Sequence, residues 1–552
     1  MNHPNYRTLF FLALLLAFPA IACGLFDGTA SGEPPRDAAI VEVMANTSLT
    51  PWLETAVADF NAAKIETSDG SQAFAILNPV ESGQAISVLA NDPTSATLWI
   101  PDDEVWKDLL ADQGNNNFSA DCISVAESPL VIGMWRPVAE SLGWPGLPIG
   151  WLDIGSLAAD PQAWSYYSGG EYGDALRMSH AHPGLAGSGT STLLAVVQAA
   201  QSKSDAVTTA DIAQPIVQAS VGAFESAVSA FNPSTDNLGR IMSERGPNYL
   251  GAAVMYESTV IQHGNDEIVP IYPLEGTFMA THPACLNQAV DAKTQEAAEL
   301  FRDSLLSDLI QQSALDFGLR PVNDSIPLGP PLDAAHGVDT TQPETIFEPP
   351  SVDTVYAIQD LWQAARKPVN LVMLLDTSGS MRGSKIESMK EAAIQFVEQM
   401  GDEDTLSLIE FYSESALLVN KAQVGSEKQR IMNVIANMEP GGDTTLFDAI
   451  GDGGSVVAAT TSPDSSNAMV VLTDGQDTAS TRFQFDDRLI STATANDTTV
   501  FTIAYGNDAD DNILSELASR GNGNFYQGDE ASIAAIYEEM SAAFGGSLGI
   551  GR

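Results

Sequence analysis

The chain has 552 residues, too many for one compact core and enough for two or three domains. Its 72 acidic residues against 24 basic ones give a formal net charge of −48. That charge repels a nucleic-acid backbone or an anionic membrane surface at long range, enriches cations near the protein, and obliges any soluble anionic ligand to find a local positive pocket.

Met1 to Arg7 carries one arginine, and Thr8 to Ala22 is almost wholly apolar yet too short to span a bilayer, so residues 1–22 read as a secretory signal peptide. Ala20-Ile21-Ala22 suits an ordinary signal peptidase. The run into Cys23-Gly24 resembles a bacterial lipoprotein cleavage box, with Ala20 where leucine is more usual, and implies a lipid on Cys23. Residues 23–36, rich in Gly, Pro and small polar side chains, then read as a tether. No later apolar stretch approaches the roughly 20 residues a membrane span needs, so the expected membrane contact is the lipid anchor alone, on the extracytoplasmic face. Only three cysteines are present. With Cys23 lipidated, Cys122 and Cys285 remain, either as a disulfide or as two buried thiols. A bridge closing so long a loop would stabilise by roughly 4–5 kcal/mol in the chain-entropy model.

Residues 37–325 alternate short apolar runs (Ile40 to Ala45, Ala73 to Leu77, Thr97 to Ile100, Pro129 to Met134, Val269 to Tyr272) with helix-compatible segments such as Ser191 to Gln201 and Lys293 to Leu309. The phrases Ser128-Pro129-Leu130-Val131-Ile132-Gly133-Met134-Trp135-Arg136-Pro137 and Ala181 to Ser191 resemble the bacterial extracellular solute-binding proteins of the periplasmic-binding-protein type II class. The resemblance implies two lobes with a small solute between them. Helix N-termini there would aim N–H groups at an anion. Ser188, Gly189, Thr190 and Ser191 form the best such terminus and Thr47 and Ser48 the second; the competing reading makes them ordinary helix caps. Trp99 and Tyr256 either line the cleft or fill the core. The six histidines fall in no Ser-His-Asp or zinc-ligand pattern, and Gly187 to Ser191 lacks the lysine of a nucleotide-phosphate loop, so the expectation is a protein that is not an enzyme.

Residues 326–351 are dense in proline and read as a linker, either free or laid along the first domain, ahead of a second domain at 352–552. There the apolar run Asn370 to Leu375 ends in Asp376-Thr377-Ser378-Gly379-Ser380, which brings a carboxylate and hydroxyls to one strand tip. Gly441-Gly442-Asp443-Thr444-Thr445 adds hydroxyls before a helix, and Ala468 to Leu472 is a second apolar strand, ending in Thr473-Asp474. Oxygen ligands of this kind suit a hard divalent cation, and ligands of open parallel sheets bind beyond the carboxyl ends of strands. Asp-Thr-Ser-Gly-Ser alone is as well explained as a capped turn. Ile386, Met389, Ala393, Phe396, Val397 and Met400 recur at helical spacing, and strands at Leu406 to Phe411 and Thr499 to Tyr505 complete an α/β pattern.

Asp-x-Ser-x-Ser, a threonine before Leu446-Phe447-Asp448-Ala449, and Leu472-Thr473-Asp474-Gly475 together resemble the von Willebrand factor type A domain and its metal-ion-dependent adhesion site, over roughly residues 366 to 545. The resemblance implies that Asp376, Ser378, Ser380, Thr444 and Asp474 hold Mg²⁺ (or Mn²⁺ or Ca²⁺), directly or through water. Thr444 is preferred to Thr445 by its place before the Leu-Phe-Asp-Ala run. One coordination position would remain for an acidic side chain of a protein partner. The expected architecture is α/β, a two-lobed solute-binding-like domain followed by a doubly wound, mainly parallel von Willebrand A domain. The expected function is that of a surface-tethered lipoprotein making divalent-cation-dependent protein contacts or adhesion. The alternative is a solute receptor for import or sensing, with the metal domain as its docking module.

Overall fold

The computed structural model describes residues 33–173, 175–462 and 464–550, so the expected signal peptide, Cys23 and the tether up to residue 32 lie outside the described residues. Among the described residues no helix is long and apolar enough to cross a membrane.

The first domain has two sheets, one per lobe. In the first lobe Ala73–Pro79, Ala39–Ala45 and Leu98–Ile100 lie side by side in parallel, and Pro283–Leu286 runs antiparallel between Leu98–Ile100 and Ile123–Ser124. Cys122 and Cys285 are disulfide-bonded in this lobe. The second lobe is built on Ser128–Trp135, buried along its whole length and paired antiparallel with both Ala252–Tyr256 and Ile268–Ile271. Met178–Ala181 then joins Ala252–Tyr256 to Val228–Asn232 by parallel pairing. A strand buried on both faces needs no polar alternation, which is why Ser128–Trp135 reads as a continuous apolar run. The helix expected over Lys293 to Leu309 is two helices, Ala292–Leu305 and Asp308–Ala314, with Asp291 capping the first by accepting the Lys293 and Thr294 N–H groups.

The proline-rich segment 326–351 is laid along the first domain. Leu332 and Val338 are buried against Leu315, and Phe347 packs edge-on against Phe278 with ring centroids 5.4 Å apart. Arg320, six residues ahead of it, is fixed by two bonds to Glu257 (2.8 and 2.7 Å) and holds the segment by one to Gln342 O (2.8 Å). The helix Val352–Ala365 follows, capped by Ser351, with Val355, Ile358 and Trp362 buried on one face. Trp362 meets His182 and Phe231 edge-on, at 4.7 and 5.1 Å between centroids. The boundary expected at residue 352 therefore separates this helix from the body it packs against.

Six strands form the second domain's sheet: β1 (Val369–Asp376), β2 (Thr405–Phe411), β3 (Ser415–Gln423), β4 (Ser466–Thr473), β5 (Thr499–Tyr505) and β6 (Asn522–Gly528). Their order is β3-β2-β1-β4-β5-β6, parallel throughout except for the edge strand β3. Side chains of β1 alternate between two cores, as a strand's period of two requires. Leu371, Met373 and Leu375 join Met389, Phe396 and Tyr537 on one face. Val372 and Leu374 join Ile450, Val457 and Leu489 on the other. Each fully buried aliphatic side chain of this kind contributes about 1.5–3 kcal/mol.

The starts of β1, β4 and β5 abut the second lobe of the first domain, where Val369, Ser466 and Thr499 line a small cavity shared with Val228 and Phe231. Lys367 Nζ donates to Ser226 O at 2.9 Å, and Arg245 Nη2 to Gly523 O at 2.8 Å, across the same junction. At ~3.3 Å per residue, the far ends of these strands stand roughly 23 Å away. Whatever the strand tips hold faces away from the first domain.

Candidate metal centre

The chain order of the sheet reverses between β1 and β4, and the tips of these two neighbours carry the two carboxylates, Asp376 and Asp474. This is the crevice where open α/β sheets bind ligands. Both carboxylates are fully buried, whereas Ser380 is exposed. Asp376 Oδ1 accepts the Ser378 N–H at 2.7 Å and Oδ2 accepts the Thr473 hydroxyl at 2.5 Å, which fixes its orientation. Ser378 Oγ and Ser380 Oγ lie 2.9 Å apart, and Ser380 Oγ donates to Asp474 Oδ1 at 2.6 Å.

Two backbone bonds draw the threonine loop in: Gly379 N–H to Gly442 O at 3.0 Å and Gly441 N–H to Thr377 O at 2.8 Å. Gly442 has φ +78°, and a Cβ there would stand 2.4 Å from Ser413 Oγ, so the turn that delivers the loop requires glycine. A Cβ on Gly475 would have Thr444 Oγ1 at 3.7 Å and Ser380 Oγ at 4.0 Å as its nearest neighbours, so these two hydroxyls flank one space. Thr445 Oγ1 is instead buried, with no hydrogen-bond partner among the described residues.

The five expected residues thus form one group of carboxylate and hydroxyl oxygens with a solvent-facing side. This donor set fits a hard divalent ion, which takes oxygen ligands and keeps waters. Burial pushes the Asp376 carboxyl up to about 6, against hydrogen bonds from Thr473 and Ser378 that favour its charged form. Lys385 was missed by sequence reading: its Nζ donates to Asp474 Oδ2 at 2.7 Å and pairs that carboxylate with a cation. Its place at the start of the helix Ser384–Gln399, one turn past the motif, was the available signal. Asp448 lies behind the site, where its carboxylate accepts the N–H groups of Thr481, Arg482 and Phe483 at 2.9–3.1 Å and shapes the loop after β4.

The residues expected to hold a solute are engaged with protein groups. Ser188 Oγ lies 2.7 Å from Thr235 Oγ1, and Thr190 Oγ1 donates to Pro183 O at 2.6 Å. Ser48 Oγ donates to Asn46 Oδ1 at 2.5 Å, and the Thr47 hydroxyl bonds Glu81. A Cβ on Gly189 would stand 2.1 Å from Ala181 O, and Ser191 is half-buried two residues further into the helix. Trp99 is core, edge-on to Phe118 at 5.5 Å; Tyr256 does reach the cleft, where its hydroxyl donates to Asp102 at 2.5 Å.

Comparison with known proteins matches residues 41–320 to the family described as bacterial extracellular solute-binding protein and residues 370–539 to the von Willebrand factor type A domain. An uncharacterized protein of Synechocystis sp., sll0103, is 30% identical over 162 residues, which cover 29% of this chain and 37% of that protein. The human inter-alpha-trypsin inhibitor heavy chain H3 is 27% identical over 187 residues, 32% of this chain and 21% of that protein. The chain therefore spans well under half the length of either relative. Among solved structures, a periplasmic thiamin binding protein superposes with a TM-score of 0.44 at 12% identity, over 60% of this chain and 99% of that one. Neither matched family description names a catalytic activity. The chain belongs to the bacterial extracellular solute-binding protein family through residues 41–320 and carries a von Willebrand factor type A domain at residues 370–539.

Proposed function

We propose that this chain is an exported, lipid-anchored surface protein whose second domain makes divalent-cation-dependent contacts with a protein partner. The observation that carries the reading is the convergence of Asp376, Ser378, Ser380, Thr444 and Asp474 at the sheet's crossover, with Ser380 open to solvent. Bound there, Mg²⁺ (or Mn²⁺ or Ca²⁺) would supply an electrophilic centre with one position for a partner's carboxylate. The protein's own part is to hold two carboxylates and three hydroxyls in place before the ion arrives. Asp376 is kept rigid by Thr473 and Ser378, so little side-chain freedom remains to be lost on binding. The strand direction supports the same reading, since the site points away from the first domain and toward a partner.

The family match over 41–320 supports a second reading, a receptor for a small solute with the metal domain as docking module. The two are separated by purified full-length chain tested against extracytoplasmic proteins with Mg²⁺ or with chelator. Capture that needs Mg²⁺ and is lost in Asp376→Ala supports the first; capture indifferent to chelator contradicts it.

A further inference from the structure

We propose that the inter-lobe cleft of the first domain is self-liganded: the carboxylates of Glu81 and Asp102 stand at the helix N-termini where an anionic solute would stand, and hold the lobes closed without one. Both residues come from the first lobe, Glu81 immediately before the helix Ser82–Asn91 and Asp102 just after the strand Leu98–Ile100. Both are 1% exposed. Their partners come from both lobes. Glu81 Oε1 accepts the N–H of Thr235, the first residue of the helix Thr235–Arg245, at 2.8 Å. Asp102 sits at the N-terminus of the helix Gly187–Gln201, which has no side-chain cap of its own: a Cβ on Gly187 would stand 2.2 Å from Asp102 Oδ2, and the Gly187 backbone amide favours the charged form of the carboxylate. The Tyr256 hydroxyl, also of the second lobe, donates to Asp102 Oδ1.

Helix N-termini attract negative charge through their free N–H groups and dipoles, and these two face the cleft from the second lobe. Here that capacity is taken up by the chain itself. Asn46 binds the two carboxylates together, its Nδ2 donating to Glu81 Oε2 and to Asp102 Oδ1 at 3.0 Å each. The amide orientation is fixed by Ser48, whose N–H and hydroxyl both donate to Asn46 Oδ1. Ser82 and Thr47 complete the acceptor sites on Asp102 and Glu81. Backbone ties run alongside: the Gly83 and Gln84 N–H groups donate to Leu185 O of the opposite lobe at 2.8 and 3.2 Å. The chain's last described residues brace the same loop from behind. Ile550 N–H donates to Gly184 O at 3.1 Å, and Ile550 is buried among Trp99, Trp106 and Tyr356. Burial and the charge of Asp102 push the Glu81 carboxyl up to about 8, so the group is costly to ionise in this enclosure yet fully bonded within it.

The test uses amide hydrogen exchange on the full-length chain with no solute added, followed by the same measurement on Glu81→Ala with and without acetate. Wild type is expected to protect the Thr235 and Gly83 amides at least about 100-fold, and acetate is expected to change nothing. Glu81→Ala is expected to lose about tenfold or more of that protection and to regain it saturably with acetate, the missing carboxylate supplied from solution. Unprotected amides in wild type overturn the proposal, as does full protection in Glu81→Ala. Loss of protection that acetate does not restore overturns the carboxylate's role. Should Glu81→Ala not fold, the wild-type measurement still decides, because a cleft that is open without solute contradicts self-liganding.

Discussion

The metal centre and the inter-lobe cleft are made of the same materials, carboxylates and hydroxyls gathered where strands end and helices begin. In the cleft, Glu81 and Asp102 are buried beneath donors from both lobes and stand against helix N-termini of the second lobe. At the sheet crossover, Asp376 and Asp474 are equally buried, but the Ser378 and Ser380 hydroxyls bond each other, Ser380 also bonds Asp474, and Ser380 stays open to solvent. A carboxylate group already saturated with N–H and O–H donors is structural. One balanced by a single ammonium, Lys385, is poised to exchange that cation for another. On the two proposals together, the first domain would be a closed base and the second the working surface.

The largest expected effect breaks the join between the two regions. Arg366 and Asp404 form a buried ion pair at 2.9 Å where the first domain's last helix hands over to β1, and Asp404 also holds the Val369 and Gly401 N–H groups. Arg366→Ala strands a buried carboxylate and should destabilise by about 3–5 kcal/mol. Thermal unfolding of the full chain measures this, and an unchanged Tm contradicts it.

A smaller effect sharpens the contrast in charge. If Lys385 competes with an arriving ion for Asp474, Lys385→Met should tighten Mg²⁺ binding by about tenfold, the ratio expected from a charge-assisted bond of roughly 1.5 kcal/mol. Calorimetric titration decides it, and weaker binding would make Lys385 a support of the site.

The cleft carries a pH signature of its own. The Glu81 carboxyl lies at about 8 in the folded chain against 4.5 ordinarily, so its contribution to the closed form is complete below pH 4.5 and is lost as pH rises through about 8. The groups facing it act within the same enclosure: Asp102 and Tyr256 are both raised by burial, Asp103 is pushed up to about 7, and His282 is pushed down to about 4. Protection of the Thr235 amide, corrected for intrinsic exchange, should therefore fall between pH 7 and 9 by up to about tenfold per unit, and Glu81→Gln should flatten the profile. A flat wild-type profile contradicts the assignment.

The smallest effect separates two adjacent threonines. Thr445→Val removes a hydroxyl that has no partner among the described residues, and should change stability by less than about 0.5 kcal/mol or raise it slightly. Thr444→Val should leave the fold and weaken Mg²⁺. The reverse pattern would reassign the ligand.

The second domain was legible because its strands are buried on both faces and so announce themselves as unbroken apolar runs. Its site was legible because glycines and hydroxyls must sit at fixed offsets from the strand tips. Edge strands are another matter: Ser415–Gln423 and Asn522–Gly528 are partly exposed and mix polar with apolar residues, and neither was recognised from the sequence. Met178–Ala181 is too short, and its Ser179-His180 too polar, to signal a central strand. Ser188 and Thr190 lie in the first turn of Gly187–Gln201 and Thr47 and Ser48 in the short helix Thr47–Leu49, but whether such groups meet a solute or a neighbour depends on what the other lobe supplies. Glu81 and Asp102 are 21 residues apart in sequence and more than 80 from the helices they cap, a relation that no local pattern encodes. The proline-rich stretch suggested a linker because proline ends regular structure, yet buried Leu332, Val338 and Phe347 anchor it.

The most direct test is calorimetric titration of Mg²⁺ into the full-length chain, wild type beside Asp376→Ala, because Val352–Ala365 and residues 545–550 pack on the first domain and an excised second domain would lose that support. Saturable binding at one site in wild type, abolished in Asp376→Ala with the exchange-protected core intact, is the predicted result. Absence of binding in wild type, or equal binding in the variant, would contradict a metal-dependent contact surface at the tips of β1 and β4.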